Sequence, residues 1–295
     1  MILVTGANGL AGSTVIREFA RTYSPVRALV RSRAKAQALE TLPMVELVEG
    51  DMLRPETLAD ALSGVERVLL ISSADQQMVE TQCTFIDAAK KAGVHHIVKF
   101  SGSTTSWDSP FLFSRMHAEI ERYLENSGLS WTHLRPSQFM TEYVREVPTI
   151  VAQRAFFLPL EDAKLTPVDT LDIAKAAFAL LTRPGHEGKT YMMSGPEALS
   201  MTEIAEQISL ATGSTVRYVN IAPDERKQAL LGAGVPPYIV DALDVQARLR
   251  RLGNGEEVIH PETHRVLSIR PTTFAEFARR HAADFRGESG RFAAA

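Results

Sequence analysis

Three short stretches hold residue types whose spacing could do chemistry. TGANGLAG (5–12) sets Gly6, Gly9 and Gly12 at G-x-x-G-x-x-G spacing, with Asn8, Leu10 and Ala11 between them. Gly6 can make a tight turn, Gly9 lets a pyrophosphate approach the backbone, and Gly12 lets a following helix pack closely on the preceding strand. The helix start then offers free N–H groups and a positive partial charge to phosphate. ALVRSRAKAQAL (28–39) carries Arg31 where an NAD site normally places an acid for the ribose hydroxyls. From Val26 to Leu39 there are four cations, Arg27, Arg31, Arg33 and Lys35, and no acid. A guanidinium binds a 2′-phosphate bidentately where a carboxylate would repel it, so NADP(H) is the expected cofactor, with NAD(H) second. FLFSRMHAE (111–119) holds Arg115, His117 and Glu119 but neither tyrosine nor lysine. Whether it performs acid–base work or only holds a cofactor depends on what is built around it.

The surrounding pattern alternates short apolar runs with amphipathic ones. Strands are predicted at 2–5, 26–30, 45–49, 67–72, 96–101 and 131–135, rich in β-branched residues and bounded by Gly, Pro, Ser or Asp. Helices are predicted at 10–22, 33–42, 56–64, 77–93 and 116–128, with Gly93 and Gly128 as stops. This repetition predicts an α/β fold, a doubly wound parallel sheet of Rossmann type. Ligands of such sheets lie outside the carboxyl ends of the strands. Ser72, Ser73 and Ala74 after the fourth strand, and Ser101, Gly102 and Ser103 after the fifth, are therefore expected to flank ribose and nicotinamide. Asp51 and Met52 follow the third strand, where the adenine edge would be, although Asp51 is equally suited to capping a helix.

After Pro136 the rhythm changes. A helix at 170–182 and a strand at 190–195 continue the earlier style; then come helices at 202–213, 224–234, 236–253 and 272–285 and a strand at 216–221. We expect residues 1–135 to form the nucleotide-binding domain, with 166–195 packing back onto it. Residues 136–295 are expected to form a smaller, mainly helical lobe that closes over the sheet.

The chain has 295 residues, 45% hydrophobic and 23% charged, which is ordinary for a globular protein long enough to bury a large core. A net charge of −3 gives no reason to expect nucleic acid or an anionic membrane as partner. The single cysteine, Cys83 in ETQCTFIDAAKKA, allows no internal disulfide and fits a reducing cytoplasm. It reads as a buried small hydrophobe rather than a reactive thiol. No run approaches the roughly 18 apolar residues of a membrane span. Met1 leads straight into a strand, so no secretory signal is expected, and the closing RGESGRFAAA is expected to fray. Zinc-like Cys/His spacing, a nucleophile elbow and a metal-binding carboxylate cluster are all lacking.

TGANGLAG, the arginine after the second strand, VLLISS, AAKKAGVHHIVKFS and LRPSQF resemble the short-chain dehydrogenase/reductase superfamily, and best its atypical NmrA-like branch. Within that branch the chain is similar to the NAD(P)H:quinone oxidoreductases and triphenylmethane dye reductases. PGHEGKTYMMSG (184–195) and RPTTFAEF (270–277) extend the likeness over nearly the whole chain. Typical superfamily members use a Tyr-x-x-x-Lys pair, whose positions fall here on Phe111 and Arg115. Phe111 has no hydroxyl, and a guanidinium is a poor acid or base near neutrality, which counts against alcohol dehydrogenase, epimerase or dehydratase chemistry. Atypical members carry His-x-x-x-Glu, which falls on His117 and Glu121, one helical turn apart on one face. The resemblance implies that His117 faces the ligand while a carboxylate fixes its other nitrogen, with Arg115 as the rival occupant of the lysine position. Spacing alone leaves open a structural histidine with an ordinary i,i+4 pair.

The resemblance further implies cofactor contacts from Pro136 and Ser137, flanked by Arg135 and Gln138. An acceptor pocket is expected from Trp107, Phe111 and Phe113, from Phe139, Met140 and Tyr143, and from Tyr238 of the lobe. The implied activity is NADPH-dependent hydride transfer to a quinone-like or other flat electrophilic acceptor, by a monomer or homodimer. Such acceptors take hydride first and are protonated afterwards, so stacking matters more than a strong acid. The alternative is a non-catalytic redox-sensing regulator that binds NADP(H) and a protein partner.

Overall fold

The computed structural model describes residues 1–289. The first half runs β1 (Ile2–Val4), α1 (Leu10–Arg21), β2 (Val26–Val30), α2 (Gln37–Glu40), β3 (Val45–Glu49), α3 (Ala59–Leu62), β4 (Arg67–Leu70), α4 (Met78–Lys91), β5 (His96–Phe100), α5 (Leu112–Asn126) and β6 (Ser130–Pro136). The second half runs α6 (Val147–Gln153), β7 (Ala155–Leu158), β8 (Lys164–Leu165), α7 (Thr170–Thr182), β9 (Lys189–Met193), β10 (Leu199–Ser200), α8 (Met201–Thr212), β11 (Arg217–Asn220), α9 (Pro223–Gly232), α10 (Pro237–Arg251), α11 (Glu262–Leu267), α12 (Phe274–Arg280) and α13 (Ala282–Phe285). The main sheet has the order β3-β2-β1-β4-β5-β6-β9 with every pair parallel, the doubly wound α/β fold expected from the alternation.

Both faces of the sheet are covered, which explains why its strands are apolar without alternation. Val4, Leu69 and Val98 point to one face and pack with Phe19 of α1 and Leu180 of α7. Leu3, Val68 and Ile97, one residue earlier in each strand, point to the other and pack with Phe85 of α4 and Ile120 of α5. Each such aromatic or branched side chain contributes about 1.5–3 kcal/mol on burial. A third cluster, with Tyr143, Phe156, Ile204, Phe274 and Phe277, forms the core of the C-terminal part. β9 lies beside β6 in the main sheet, and α7 lies against α1.

Several elements depart from the sequence pattern. The helices expected at 33–42 and 56–64 shrink to a 3-10 turn followed by the single-turn α2 and α3, because α2 buries only Leu39 and α3 only Ala61 and Leu62. Helix α5 starts at Leu112, four residues early, so FLFSRMHAE is mostly helix. Residues 140–165, given no element, hold a 3-10 stretch at Met140–Glu146, then α6, β7 and β8. β7 pairs with β11 and β8 with β10, partners too distant in sequence to leave a local signal. The helix expected at 272–285 breaks at His281. Of the tail expected to fray, Arg286 pairs with Glu288, and 290–295 lie outside the described residues.

Cys83 is half-buried, and burial pushes its thiol up to about 11. Among the described residues no helix is long and apolar enough to cross a membrane, and no His/Cys/Asp/Glu group could hold a metal.

Candidate active site

The glycine turn is fixed where the strand order reverses. The Thr5 hydroxyl donates to Ile71 O at 2.6 Å and accepts from Ile71 N at 2.8 Å, tying the ends of β1 and β4 together. Gly6 has φ +57°, and a Cβ there would come within 3.0 Å of Ile71 O. Gly12 admits no side chain, since a Cβ would lie 2.3 Å from Gly6 O. Gly9 is the N-cap of α1; no side chain caps this end and its first turn holds no acid. Asn8, Gly9 and Leu10 are exposed on the rim, with Ala11 half-buried behind them. Bare N–H groups, a positive helix end and a cradle that a Cβ would fill are what a dinucleotide diphosphate requires.

The four cations after β1 divide, Lys35 being an exposed residue of the 3-10 turn after β2. Arg27 pairs with Glu46 and reaches the carbonyls of Asp60, Ala61 and Ser63. Arg33 donates to Leu47 O. Both are structural. Arg31 is exposed at the end of β2 and has no ion pair or hydrogen-bond partner among the described residues. Asp51 caps no helix: its carboxylate accepts from Leu53 N at 3.0 Å within a local turn, and the Met52 side chain is buried in the core. The Ser72 hydroxyl accepts from Gln82 Nε2 at 2.8 Å, and Ser73 and Ala74 are exposed on the same edge.

The next two strand ends make a second constellation. Ser101 is buried with its hydroxyl 3.0 Å from that of Thr105, and Ser103 N donates to Pro136 O at 2.9 Å. Ser137 N donates to Met193 O and its hydroxyl to Thr166 O, so Ser137 shapes the edge but has no donor left over. Gly102 faces His117: a Cβ on Gly102 would meet His117 Cδ2 at 3.7 Å and Nε2 at 4.0 Å. His117 Nδ1 lies 2.9 Å from Nζ of Lys99, a fully buried lysine on β5 that also donates to Phe100 O at 2.7 Å. Burial lowers the Lys99 ammonium to about 7, with Glu121 opposing the shift and Arg135 adding to it. Burial, then Lys99 and Arg135, hold His117 well below its ordinary value, so its ring is neutral near pH 7.

Two implied catalytic roles are corrected. Glu121 does not orient His117; Arg135 grips it, Nε to Oε1 at 3.0 Å and Nη2 to Oε2 closer still. Burial would raise the Glu121 carboxyl, but the Arg135 hydrogen bond, His133 and Ser101 bring it below its usual range. Arg135 is therefore committed within the protein. Arg115 is exposed and donates to Ser109 O at 2.6 Å, away from the cleft. At about 100° per residue it lies some 200° around the helix from His117.

A cleft of about 680 Å³ opens from Ser101–Thr104 and runs beneath α9 and α10. Phe111 and Phe113, edge to face at 5.6 Å, and Phe139, edge-on to Phe100 at 6.1 Å, form aromatic walls. Leu230, Ile239 and Leu243 supply the opposite wall. Tyr143 reaches the cleft only marginally: it is 2% exposed, packed between Phe156 and Phe274. Met140 is core, and burial fixes both there. Trp107 is half-exposed outside the cleft with the Arg122 guanidinium over its ring, and Tyr238 on α10 also lies outside.

Sequence reasoning missed Lys99, the Ser114–Thr104 hydroxyl pair at 2.7 Å, and the ion pairs Arg226–Glu146 and Arg250–Glu256 at the far end of the cleft. Only Lys99 had a signal: a lone lysine inside an otherwise buried strand.

A sheet whose order reverses beside a bare glycine turn, with an aromatic cleft at the neighbouring strand ends, defines a nucleotide-binding α/β protein with a small-molecule site. The chain belongs to the NmrA-like family, whose model matches residues 1–278. It is 38% identical over 286 residues to the NAD(P)H azoreductase of Xenophilus azovorans, covering 97% of this chain and 99% of that one. The NADPH-dependent quinone oxidoreductase of Escherichia coli, solved with NADPH, matches at TM-score 0.85 and 31% identity, covering 95% of this chain and 99% of that one. The triphenylmethane reductase of Citrobacter sp., solved with NADP(H), matches at TM-score 0.85 and 25% identity, covering 96% and 100%.

Proposed function

We propose that this protein is an NADPH-dependent reductase that delivers hydride to a flat electrophilic acceptor of quinone, azo or triarylmethyl type. Residues 1–135, with 166–195 packed back, hold the nucleotide, and the lobe within 136–295 covers the acceptor. The observation that carries the reading is an aromatic cleft that begins at Ser101–Ser103 and has the neutral His117 ring at its floor beside Gly102. Three relatives with reductase or oxidoreductase activities support the same class. The regulator reading has no comparable support.

The TGANGLAG turn binds the diphosphate through backbone N–H groups, and Arg31 takes the 2′-phosphate. Ser72–Ala74 and Ser101–Ser103 line the edge for the ribose and ring. When bound, NADPH supplies the hydride. Phe111, Phe113 and Phe139 orient a planar acceptor and exclude water, which is the main requirement for transfer. His117 Nε2 donates a hydrogen bond to the acceptor heteroatom, and the reaction proceeds without a Tyr-x-x-x-Lys pair. The imidazole is neutral and Arg135 is balanced by Glu121, which leaves Lys99 as the cation behind the ring.

The test follows NADPH absorbance against a panel of quinones, azo dyes and triarylmethyl dyes, with nucleotide affinity from calorimetry. Turnover is expected with NADPH in preference to NADH. Tight nucleotide binding with no turnover of any acceptor would transfer the case to the regulator.

A further inference from the structure

We propose that Lys99 is the proton store for acceptor reduction: it holds His117 in the Nε2–H form and refills that ring when the acceptor takes the Nε2 proton. This rests on the reductase reading above.

The geometry begins with Lys99 Nζ, which has two partners, Phe100 O at 2.7 Å and His117 Nδ1 at 2.9 Å. An ammonium has no lone pair and can only donate. Nδ1 is then the acceptor, and the single imidazole proton stands on Nε2, at the ring edge that faces Gly102 and the cleft. A fully buried lysine is costly to the fold, since an apolar residue would fill the same volume without desolvating a charge. Its natural counter-ion is taken, because Glu121 is bound by Arg135. Nothing structural is gained by a lysine that faces a histidine, whereas a proton relay gains its donor.

The step balances. Hydride arrives at the acceptor with its electron pair, and a quinone becomes an anion. The Nε2–H bond breaks and its proton goes to that anion, while Nδ1 takes a proton from the ammonium. His117 ends neutral with its proton on Nδ1, and Lys99 ends as a neutral amine. Solvent protons return through the same ring once the product leaves. The groups facing the amine are His117 and Glu121 from α5, Arg135 and His133 from β6 and Cys83 from α4. Their balance and burial bring the amine to about 7, where it can both hold and release a proton.

A triarylmethyl cation becomes neutral on accepting hydride and needs no proton; a quinone needs one. The experiment therefore compares both acceptors in wild type, Lys99→Met and Lys99→Arg, with a ¹⁵N spectrum of the His117 imidazole recorded on the nucleotide-free protein. Melting temperature and NADPH affinity establish that each variant is folded. In wild type the ring should carry its proton on Nε2, and quinone kcat should fall above about pH 7 as the ammonium is lost. Lys99→Met should remove that pH limb, shift the tautomer, and lower quinone kcat roughly 10²-fold, about ten times more than dye kcat. Lys99→Arg keeps charge and donor but cannot release a proton, so it should retain the Nε2–H ring without restoring quinone kcat. An unchanged limb and tautomer in Lys99→Met, with wild-type turnover intact, would overturn the proton store alone. No turnover with any acceptor would overturn the reductase reading and the proton store together.

Discussion

The β1–α1 turn and the β5–α5 end share one edge of the sheet, yet they are built of different materials. The first is backbone: three glycines whose missing Cβ atoms let the turn close against Ile71 O, leave Gly9 open to a phosphate, and seat α1 against the Gly6 carbonyl. The second is side chain: Lys99 from β5, His117 and Glu121 from α5, and Arg135 from β6, sorted into a lysine–histidine pair and an arginine–carboxylate pair. A site made of backbone tolerates no added atom. One made of side chains can lose a group and keep its shape, so it is where relatives with one cofactor can diverge in acceptor.

The sharpest break of that contrast is Gly12→Ala. A Cβ 2.3 Å from Gly6 O must push the turn apart, so NADPH affinity should fall by about 10²-fold or more in a calorimetric titration. Next is His117→Ala, which should lower quinone kcat roughly 10²-fold with NADPH affinity within about threefold. Equal losses in both would place the histidine in nucleotide binding instead. Arg31→Asp replaces the unpartnered cation by a repelling anion and should shift the NADPH-over-NADH preference in kcat/KM by about 10-fold or more. An unchanged ratio would remove Arg31 from the site. The smallest effect belongs to Arg115→Ala, an exposed residue bound to Ser109 O, which should change stability by less than about 0.5 kcal/mol and leave kcat near wild type.

The glycine turn was readable because it is local. Gly6, Gly9 and Gly12 need only a strand before them and a helix after them, and both carry strong periodic signals. Arg31 was readable for the same reason, as the residue that ends β2. His117 could be singled out only through family likeness, and its partner was misread, since i,i+4 spacing suggested Glu121 while the fold supplied Lys99 from a strand. Trp107, Tyr143 and Tyr238 show the same limit. Aromatic type marks a candidate for a pocket wall, but burial in the lobe core or exposure outside the cleft decides otherwise.

By itself the sequence determined the strand–helix alternation, the nucleotide turn and the cation at its edge, because hydrophobic periodicity and missing Cβ atoms act over a few residues. Only the tertiary structure decided which charge answers which, which aromatics reach the acceptor, and that a lysine stands behind the histidine. The Lys99–His117, Arg135–Glu121 and Arg226–Glu146 contacts join residues 14 to 80 apart and depend on how helices α5 and α9 settle against the sheet and the lobe. No spacing rule carries that information.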